Sequence, residues 1–236
     1  MTAVHIIHEL LASLRESVVS NLLTEDRWKM MVEGLGVTLE ISLFSLFFAT
    51  LAGALLCALR MSRSRVFQGV ARFYIGLMRS LPLLLLLLVL FYLVLASSGL
   101  GKTQIAIVCF SLYFGAYISE IFRSGIEGVD KGQWEAGAAL GMGEGLVLRK
   151  IVLPQMLLRV LPVYKNQMTA LIKATSIVGY VSIMDLTKAS DVIRARTFDA
   201  FFPLLLTALV YLLLSWLFGL AVDLLEKRLT PKSRTR

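Results

Sequence analysis

The sequence predicts an all-α integral membrane protein that crosses the bilayer five times. Hydrophobic residues make up 57% of the chain and charged residues only 17%, whereas soluble domains carry about 25% charged residues. Runs without Asp, Glu, Lys or Arg also recur at lengths close to the roughly 17 to 25 residues that a helix needs to cross a bilayer. These runs use most of the 236 residues, so no room is left for a separate soluble catalytic domain.

The positions of these runs predict the spans and their orientation. The five predicted spans are residues 37–59, 80–101, 103–122, 163–184 and 200–223, within a transmembrane domain over 31–228. Sixteen Lys and Arg residues fall in loops on one side of the membrane and seven on the other, with Lys173 inside the fourth span. Because cytoplasmic loops retain basic residues, the N-terminus is predicted outside, and the C-terminus, with a basic tail over 229–236, in the cytoplasm.

The N-terminal segment, residues 1–30, is predicted to form an amphipathic helix on the membrane surface or against the rest of the protein. Its apolar stripe consists of Ile6, Ile7, Leu10, Leu11, Leu14, Val18 and Leu22. His5 and His8 lie one turn apart, but no third ligand is near them, so we expect no metal site. The net charge of +8 is spread between apolar runs, so we expect no nucleic acid partner.

The cytoplasmic loop before the fourth span, about residues 128–156, is the first candidate for function, because long ordered loops usually carry it. It reads Glu135-Ala136-Gly137-Ala138-Ala139-Leu140-Gly141, then nine residues, then Ile151-Val152-Leu153-Pro154. The small side chains predict a helix face that another protein can approach closely, with Glu135 as an acceptor for a basic group of that protein. Gly141 and Gly143 predict a sharp turn, and Pro154 is predicted to start or bend a second helix.

This spacing resembles the EAA loop of ABC importer permeases, with Gly137 in place of the second alanine. The resemblance implies a type I importer with a MetI-like permease core, whose cytoplasmic coupling helix fits a cleft on a separate ATPase and transmits its closure. It assigns coupling to Glu135, Ala136, Gly137, Gly141, Ile151, Leu153 and Pro154. Glycine is as small as the motif requires, so we expect docking to persist with a slightly weaker helix.

Further segments between about residues 30 and 230 resemble the polar amino acid permeases of the histidine, glutamine and glutamate type. They are Gly34–Leu39, Arg79–Leu83, 116–120, 123–126, Gly132-Gln133, Leu153-Pro154-Gln155 and Lys173-Ala174-Thr175-Ser176. Many members have Arg-Gly-Thr-Pro where this chain has Arg79-Ser80-Leu81-Pro82, which is more similar to the glutamate and aspartate branch. The run from Leu83 to Leu88 also lacks the polar residue often found after that proline, so the resemblance does not specify which amino acid is carried.

The resemblance implies a multi-pass subunit of the bacterial cytoplasmic membrane. It would pair with a second permease, identical or homologous, around a path for a polar amino acid. Two ABC ATPase subunits would bind on the cytoplasmic side and a solute-binding protein on the outer side. The chain has no GxxxxGK[ST] loop, so ATP and Mg are expected on the ATPase. The chain itself is expected neither to be an enzyme nor to bind a cofactor.

Five residues in or near the spans are candidates for the substrate path: Lys173, Thr175, Ser176, Arg79 and Pro82. A charge within a span typically costs about 2.5 to 3.5 kcal/mol unless it faces protein or water. Lys173 is therefore predicted to face the bundle interior, lining the path, forming an ion pair or reaching towards the cytoplasm. Thr175 and Ser176 either line the same path or hydrogen-bond between helices. Arg79 is typical of a residue that anchors a helix at the membrane interface, and Pro82 is typical of a helix start. Only the resemblance therefore implies a functional role for these two residues.

Other interpretations remain open at this point. Glu120 and Arg123 are predicted to form a local ion pair, and the outer segment from Asp185 to Asp199 is either a solvated loop or a contact for a binding protein. The chain could also be a permease for another small polar solute, or a channel or scaffold outside the ABC class. A membrane-embedded enzyme is less well supported, since neither GxSxG nor HExxH is present.

Overall fold

The computed structural model describes the backbone of residues 2–229 and the side chains of residues 5, 8, 9, 12, 13 and 15–228. The regular structure of this part is helical throughout. Its α-helices are α1 (Thr2–Val18), α2 (Arg27–Arg60), α3 (Arg65–Ser80), α4 (Leu83–Val89), α5 (Lys102–Glu127), α6 (Lys131–Ala139), α7 (Glu144–Val147), α8 (Leu153–Ala174), α9 (Leu186–Thr197) and α10 (Phe201–Leu229). The tail predicted over 229–236 lies outside the described residues, apart from the backbone of Leu229.

Short π- and 3-10-helical segments extend four of these helices. They are Val19–Leu23 and Thr24–Asp26 after α1, Leu90–Val94 after α4, Leu148–Val152 after α7 and Thr175–Val181 after α8.

Three helices of the described residues are long and apolar enough to cross a membrane. They are α5, α10 and the stretch Arg15–Arg60 that contains α2, and they coincide with the predicted first, third and fifth spans. The pair formed by α3 and Leu83–Val94 meets the same requirement only when counted together, and it is bent by 107° at its break.

The bend between α3 and α4 has a local cause in Pro82. Leu81 is extended (ψ 138°) and so is Pro82 (ψ 131°), because the proline ring disfavours the helical conformation of the residue before it. Residues 83–94 then rise only about 18 Å at 1.5 Å per residue, well short of the roughly 30 Å hydrocarbon core. The structure thus differs from the single helix predicted over 80–101, and a crossing at this point requires α3 as well.

The helix at the predicted fourth span also differs from its predicted bounds of 163–184. It begins at Leu153, with Pro154 in its first turn, where the missing N–H of proline leaves no helical hydrogen bond unmade. At Thr175 it gives way to a 3-10 segment that ends at Val181. Helix α8 therefore connects the loop that precedes it directly to the bundle.

The centre of the bundle is the parallel pair α2 and α5, which pack through small residues. A Cβ added at Gly53 would lie 2.7 Å from the Ile118 side chain, and one added at Gly115 would lie 3.0 Å from Cβ of Ala52. Small residues of this kind let membrane helices approach closely enough for dispersion contacts to hold them together. The pair therefore forms a close-packed frame for the rest of the chain.

The N-terminal segment is helical over Thr2–Val18, as predicted, and its later part is attached to the bundle. The amide of Asn21 donates to Asp199 at 2.7 Å, and its oxygen accepts from the Thr197 hydroxyl at 2.9 Å. Leu22 of the predicted apolar stripe packs against a buried cluster of α2 and α9. Residues 21 and 22 therefore contact the rest of the protein, while most side chains of the stripe lie outside the described residues.

Candidate functional site

Helix α6 carries most of the residues assigned to coupling. The Asp130 carboxylate accepts the N–H of Gly132 at 2.7 Å and so caps the helix. The exposed residues on this helix are Lys131, Gly132, Gln133, Glu135, Ala136, Ala138 and Ala139. One carboxylate and several methyl groups are thus available to another protein, with little side-chain bulk to keep that protein away.

Gly137 is buried on the opposite face of α6, which differs from the expectation that it belongs to the open docking face. A Cβ at this position would lie 2.6 Å from Cγ2 of Val147 and 3.4 Å from Cδ1 of Ile151. The backbone of α6 therefore rests directly on α7 and the turn that follows it. Glycine here serves close packing within the loop, which could not be predicted from the motif because Val147 lies ten residues away.

The predicted sharp turn after α6 is present at Gly141. This residue has φ +74°, a left-handed conformation that costs glycine little. The N–H of Gly141 donates to the Ala138 carbonyl at 2.9 Å, and that of Met142 donates to Gly137 at 3.1 Å, the hydrogen bonds of a Schellman motif. Gly143, which was expected to share this role, has an ordinary φ of −67°. Leu140, just before the turn, is 79% exposed.

The second half of the motif lies beneath α6 rather than on the docking face. Ile151 and Leu153 are half-buried and pack against a cluster that includes Val152 and Met156, whereas Pro154 is exposed at the start of α8. Ile151 and Leu153 thus connect α6 to the bundle.

Close contact between α5 and α8 continues this connection into the bundle. A Cβ at Gly125 would lie 2.2 Å from Cγ1 of Val160 and 2.8 Å from Cγ of Met156. The side chains of Met156 and Val160 already lie against the backbone of α5 at Gly125. Helix α8 therefore cannot move towards α5 without displacing α5. A push on α6 would therefore reach both helices.

An ion-pair network joins the C-terminal ends of α2 and α5. The predicted pair is confirmed, since Arg123 donates to Glu120 at 2.9 Å. Arg60 also donates to Glu120, and Arg123 to Glu127. Within the described part of the chain, no three His, Cys, Asp or Glu side chains could hold a metal ion. These carboxylates therefore serve as partners for guanidinium groups.

The candidate path residues of the fourth span lie in different environments. The side chain of Lys173 is exposed, and its ammonium forms no hydrogen bond or ion pair with any described residue, which differs from the expected position inside the bundle. Thr175 is fully buried, and its hydroxyl donates to the Ile172 carbonyl at 2.7 Å. Ser176 is half-buried. Of the three, Lys173 is the most accessible to a ligand or a second subunit.

Arg79, at the end of α3, lies over an aromatic side chain of α5. Its guanidinium carbon is 5.3 Å from the ring centroid of Tyr117, within the range of a cation–π interaction. The hydroxyls of Tyr117 and Tyr113 are 3.2 Å apart, and Pro82 is exposed nearby in the sequence at the start of α4. Sequence reasoning gave these tyrosines no role, although their four-residue spacing places them on one helix face.

The segment from Asp185 to Asp199, which was predicted to lie on the outer side, contains the helix α9 and is not a solvated loop. Asp185 is fully buried and accepts the N–H groups of Lys188 at 3.0 Å and Thr187 at 3.1 Å. The Tyr211 hydroxyl donates to the same carboxylate at 3.3 Å. Burial raises the pKa of the Asp185 carboxyl against the opposing effect of these hydrogen bonds. Buried polar contacts therefore hold α9 firmly on the bundle.

Comparisons with known proteins identify relatives over most of the chain. The family model described as the binding-protein-dependent transport system inner membrane component matches residues 45–231. GlnP of Rickettsia bellii, whose name assigns it provisionally to a glutamine transport system, is 33% identical over 84% of this chain and 92% of its own length. TcyB of Bacillus subtilis, an L-cystine transport system permease protein, is 31% identical over 92% and 94%. A solved structure described as an amino acid ABC transporter with histidines superposes with a TM-score of 0.79 at 29% identity, and the match covers 88% of this chain and 98% of that one.

Proposed function

This chain belongs to the family of binding-protein-dependent transport system inner membrane components, and from this premise we propose that it carries a polar amino acid through the membrane. As a member of the family it is a transport subunit of an ABC importer and not an enzyme. Relatives named for glutamine and L-cystine transport support an amino acid as the substrate class. The nucleotide chemistry, with ATP and Mg, belongs to a separate ATPase.

The observation that carries the coupling mechanism is the two-sided nature of α6. Its exposed face offers Glu135 and small alanines, while its buried face rests on Val147 through Gly137. An ATPase that grips the exposed face would move a helix with almost no free space behind it. The displacement would pass through Ile151 and Val152 into α8 and α5.

The proposed topology keeps five crossings with revised helices. The bent pair α3 and α4 provides the second crossing. The fourth begins within α8, beyond its first turns, which belong to the loop, and it continues through the segment Thr175–Val181. The N-terminus lies outside and the C-terminus in the cytoplasm of a bacterial inner membrane. The loops on one side of the membrane contain more Lys and Arg residues than those on the other, and such an excess is typical of the cytoplasmic side.

A second permease subunit, identical or homologous, completes the path. An intramembrane lysine without a partner among the described residues needs a partner, water or substrate elsewhere. Lys173 would therefore face the second subunit across the path, with Ser176 close in sequence and Arg79 as the second cation. A solute-binding protein would dock on the outer surface near α9.

Purification and reconstitution test this function. The tagged chain should retain an ATPase subunit after membrane extraction. When the complex is reconstituted with its binding protein, one polar amino acid should stimulate ATP hydrolysis and accumulate inside the vesicles. A chain that purifies alone and moves solute without ATP would overturn the proposal.

A matched pair of variants tests the docking face. Glu135→Ala should weaken ATPase retention roughly tenfold, the effect expected when one charge-assisted hydrogen bond is lost. Glu144→Ala is the control, because that exposed carboxylate of α7 already pairs with Arg63 of the same chain at 2.6 Å. Equal retention of the ATPase by both variants would remove Glu135 from the docking face.

A further inference from the structure

A groove of about 580 Å³ runs along the outside of the α2 and α5 pair. One wall is a ridge of α2 residues spaced four apart, Glu40, Phe44, Phe48 and Ala52, and the other includes Gln104 and Leu112 of α5. Residues at this spacing line one face of a helix. The groove therefore runs parallel to the helix axes.

The length of the groove matches one leaflet of a bilayer. Twelve residues separate Glu40 from Ala52 on the same helix, which is about 18 Å at 1.5 Å per residue. Half of the hydrocarbon core is about 15 Å thick. A transmembrane helix of a partner would need a groove across the whole core, so the dimensions favour a single acyl chain.

Most of the groove has an apolar wall, and its free polar groups lie at one end. Phe44 and Phe48 are about half exposed, at 52% and 46%, and provide an apolar wall. The hydroxyl of Ser111 is already donated to the Ile107 carbonyl at 2.6 Å. The groups still able to bind a polar ligand lie at one end, where Glu40 is exposed near the Gln104 amide.

Glu40 is the feature that specifies the occupant. It lies within the apolar helix Arg15–Arg60 and is exposed, and its carboxylate forms no hydrogen bond or ion pair with any described residue. A carboxylate at this position is costly unless a cation accompanies it. An occupant should therefore carry a positive group at the same end as its polar head, with an apolar chain running towards Ala52.

We propose that this groove binds a phospholipid with an ethanolamine headgroup, whose ammonium donates to Glu40 and whose acyl chain lies along Phe44 and Phe48. A primary ammonium supplies both charge and N–H donors, whereas the quaternary ammonium of a choline headgroup has no N–H. A glycerol headgroup leaves the lipid anionic and repels the carboxylate. In the proposed orientation the site lies in the outer leaflet.

Quenching of a tryptophan in the groove tests this site in the assembled transporter. The reporter is Phe48→Trp in a background in which Trp28, Trp134 and Trp216 are replaced by Phe. Vesicles of phosphatidylcholine would contain a minor fraction of either brominated phosphatidylethanolamine or brominated phosphatidylcholine. We expect the brominated ethanolamine lipid to occupy the site about fivefold more readily, the ratio expected from one partly desolvated charge pair.

The controls separate a specific site from general contact with lipid. Glu40→Gln should abolish the preference and Glu40→Asp should keep it. Glu33→Gln, at an exposed carboxylate of α2 outside the groove, should also keep it. A separate reporter protein that retains only Trp216, which is 60% exposed on α10, should show no preference.

Two results would overturn the proposal. Equal quenching of the groove reporter by the two brominated lipids, or a preference that survives in Glu40→Gln, would mean that the carboxylate does not select a headgroup. Absence of quenching by either lipid in the assembled complex would mean that protein, not lipid, fills the groove.

Discussion

Replacing Gly137 with alanine tests whether α6 is held to α7 by close packing. The new Cβ would lie 2.6 Å from Cγ2 of Val147 and 3.1 Å from its Cγ1, and the stiff valine side chain cannot easily turn away. Overpacking of this kind typically costs about 1–3 kcal/mol, while alanine favours a helix over glycine by about 1 kcal/mol. The net expectation is a loop destabilised by up to about 2 kcal/mol, relieved only by moving α6 off α7.

The assay is the ratio of amino acid imported to ATP hydrolysed in the reconstituted complex, together with its thermal unfolding. Gly137→Ala should lower both the ratio and the unfolding temperature while the ATPase stays bound. The matched control is Gly145→Ala in α7, where an added Cβ meets nothing within 4 Å. The double variant Gly137→Ala/Val147→Ala should recover part of the coupling, because removing two methyl groups makes room for the new one.

Two outcomes would refute this reasoning. If Gly137→Ala has the same import-to-hydrolysis ratio and unfolding temperature as the unmodified protein and as Gly145→Ala, then α6 is not held in place by contact with Val147. The loop would then not be a rigid connection. If the loss occurs but Val147→Ala gives no recovery, then the clash is not its cause.

Three further predictions follow from single residues. Gly141→Ala should lower the import-to-hydrolysis ratio, because a non-glycine residue in a left-handed conformation costs about 1–2 kcal/mol. The added methyl group meets no other atom within 4 Å, so the effect would come from the backbone alone, and an unchanged ratio would mean that the turn tolerates another conformation. Glu120→Gln should destabilise the complex by roughly 3 kcal/mol in thermal unfolding, since it removes the carboxylate partner of the half-buried Arg60 and one of the two carboxylate partners of Arg123. The more exposed Glu127→Gln should cost far less, and equal effects of the two variants would mean that the ion-pair network does not stabilise the complex. Lys173→Met should lower the rate of amino acid uptake by the assembled complex and Lys173→Arg should largely preserve it; unchanged affinity and rate in the methionine variant would exclude Lys173 from the path.

The turn of the coupling loop could be predicted because its signals are local. Gly141 needs its left-handed conformation for a hydrogen-bond pattern that involves only neighbouring residues. Pro154 suits the first turn of a helix for an equally local reason. Motif spacing alone was enough to place both.

The orientation of α6 could not be predicted because it depends on tertiary packing. Whether Gly137 or Ala138 faces inward is decided by Val147 and Ile151, and the motif itself does not distinguish the two faces. The same holds for Asp185, which looks like part of a charged outer loop. Its burial results from Tyr211 and the neighbouring helices.

The predicted bounds of the second span were wrong for a different reason. Hydropathy averages over a window, so the apolar run after Ser80 looked like one span. The helix is interrupted at Leu81 and Pro82, and the apolar residues beyond Val94 form a turn. Pro82 was interpreted as a helix start, and α4 does begin next to it, but the apolar composition of the run gave no indication that the helix ends at Val94.

Site-specific crosslinking tests the central claim, that α6 is the surface gripped by a separate ATPase, most directly. Ala138→Cys places a thiol on the exposed face, and the native Cys57 and Cys109 are buried and free. In the assembled complex, a short thiol crosslinker should join this cysteine to the ATPase subunit, with a yield that changes when ATP is added. Ser98→Cys, at the exposed outer turn, should give no such product. Absence of the product from Ala138→Cys in a complex that still imports amino acid, or its formation from Ser98→Cys, would contradict the account.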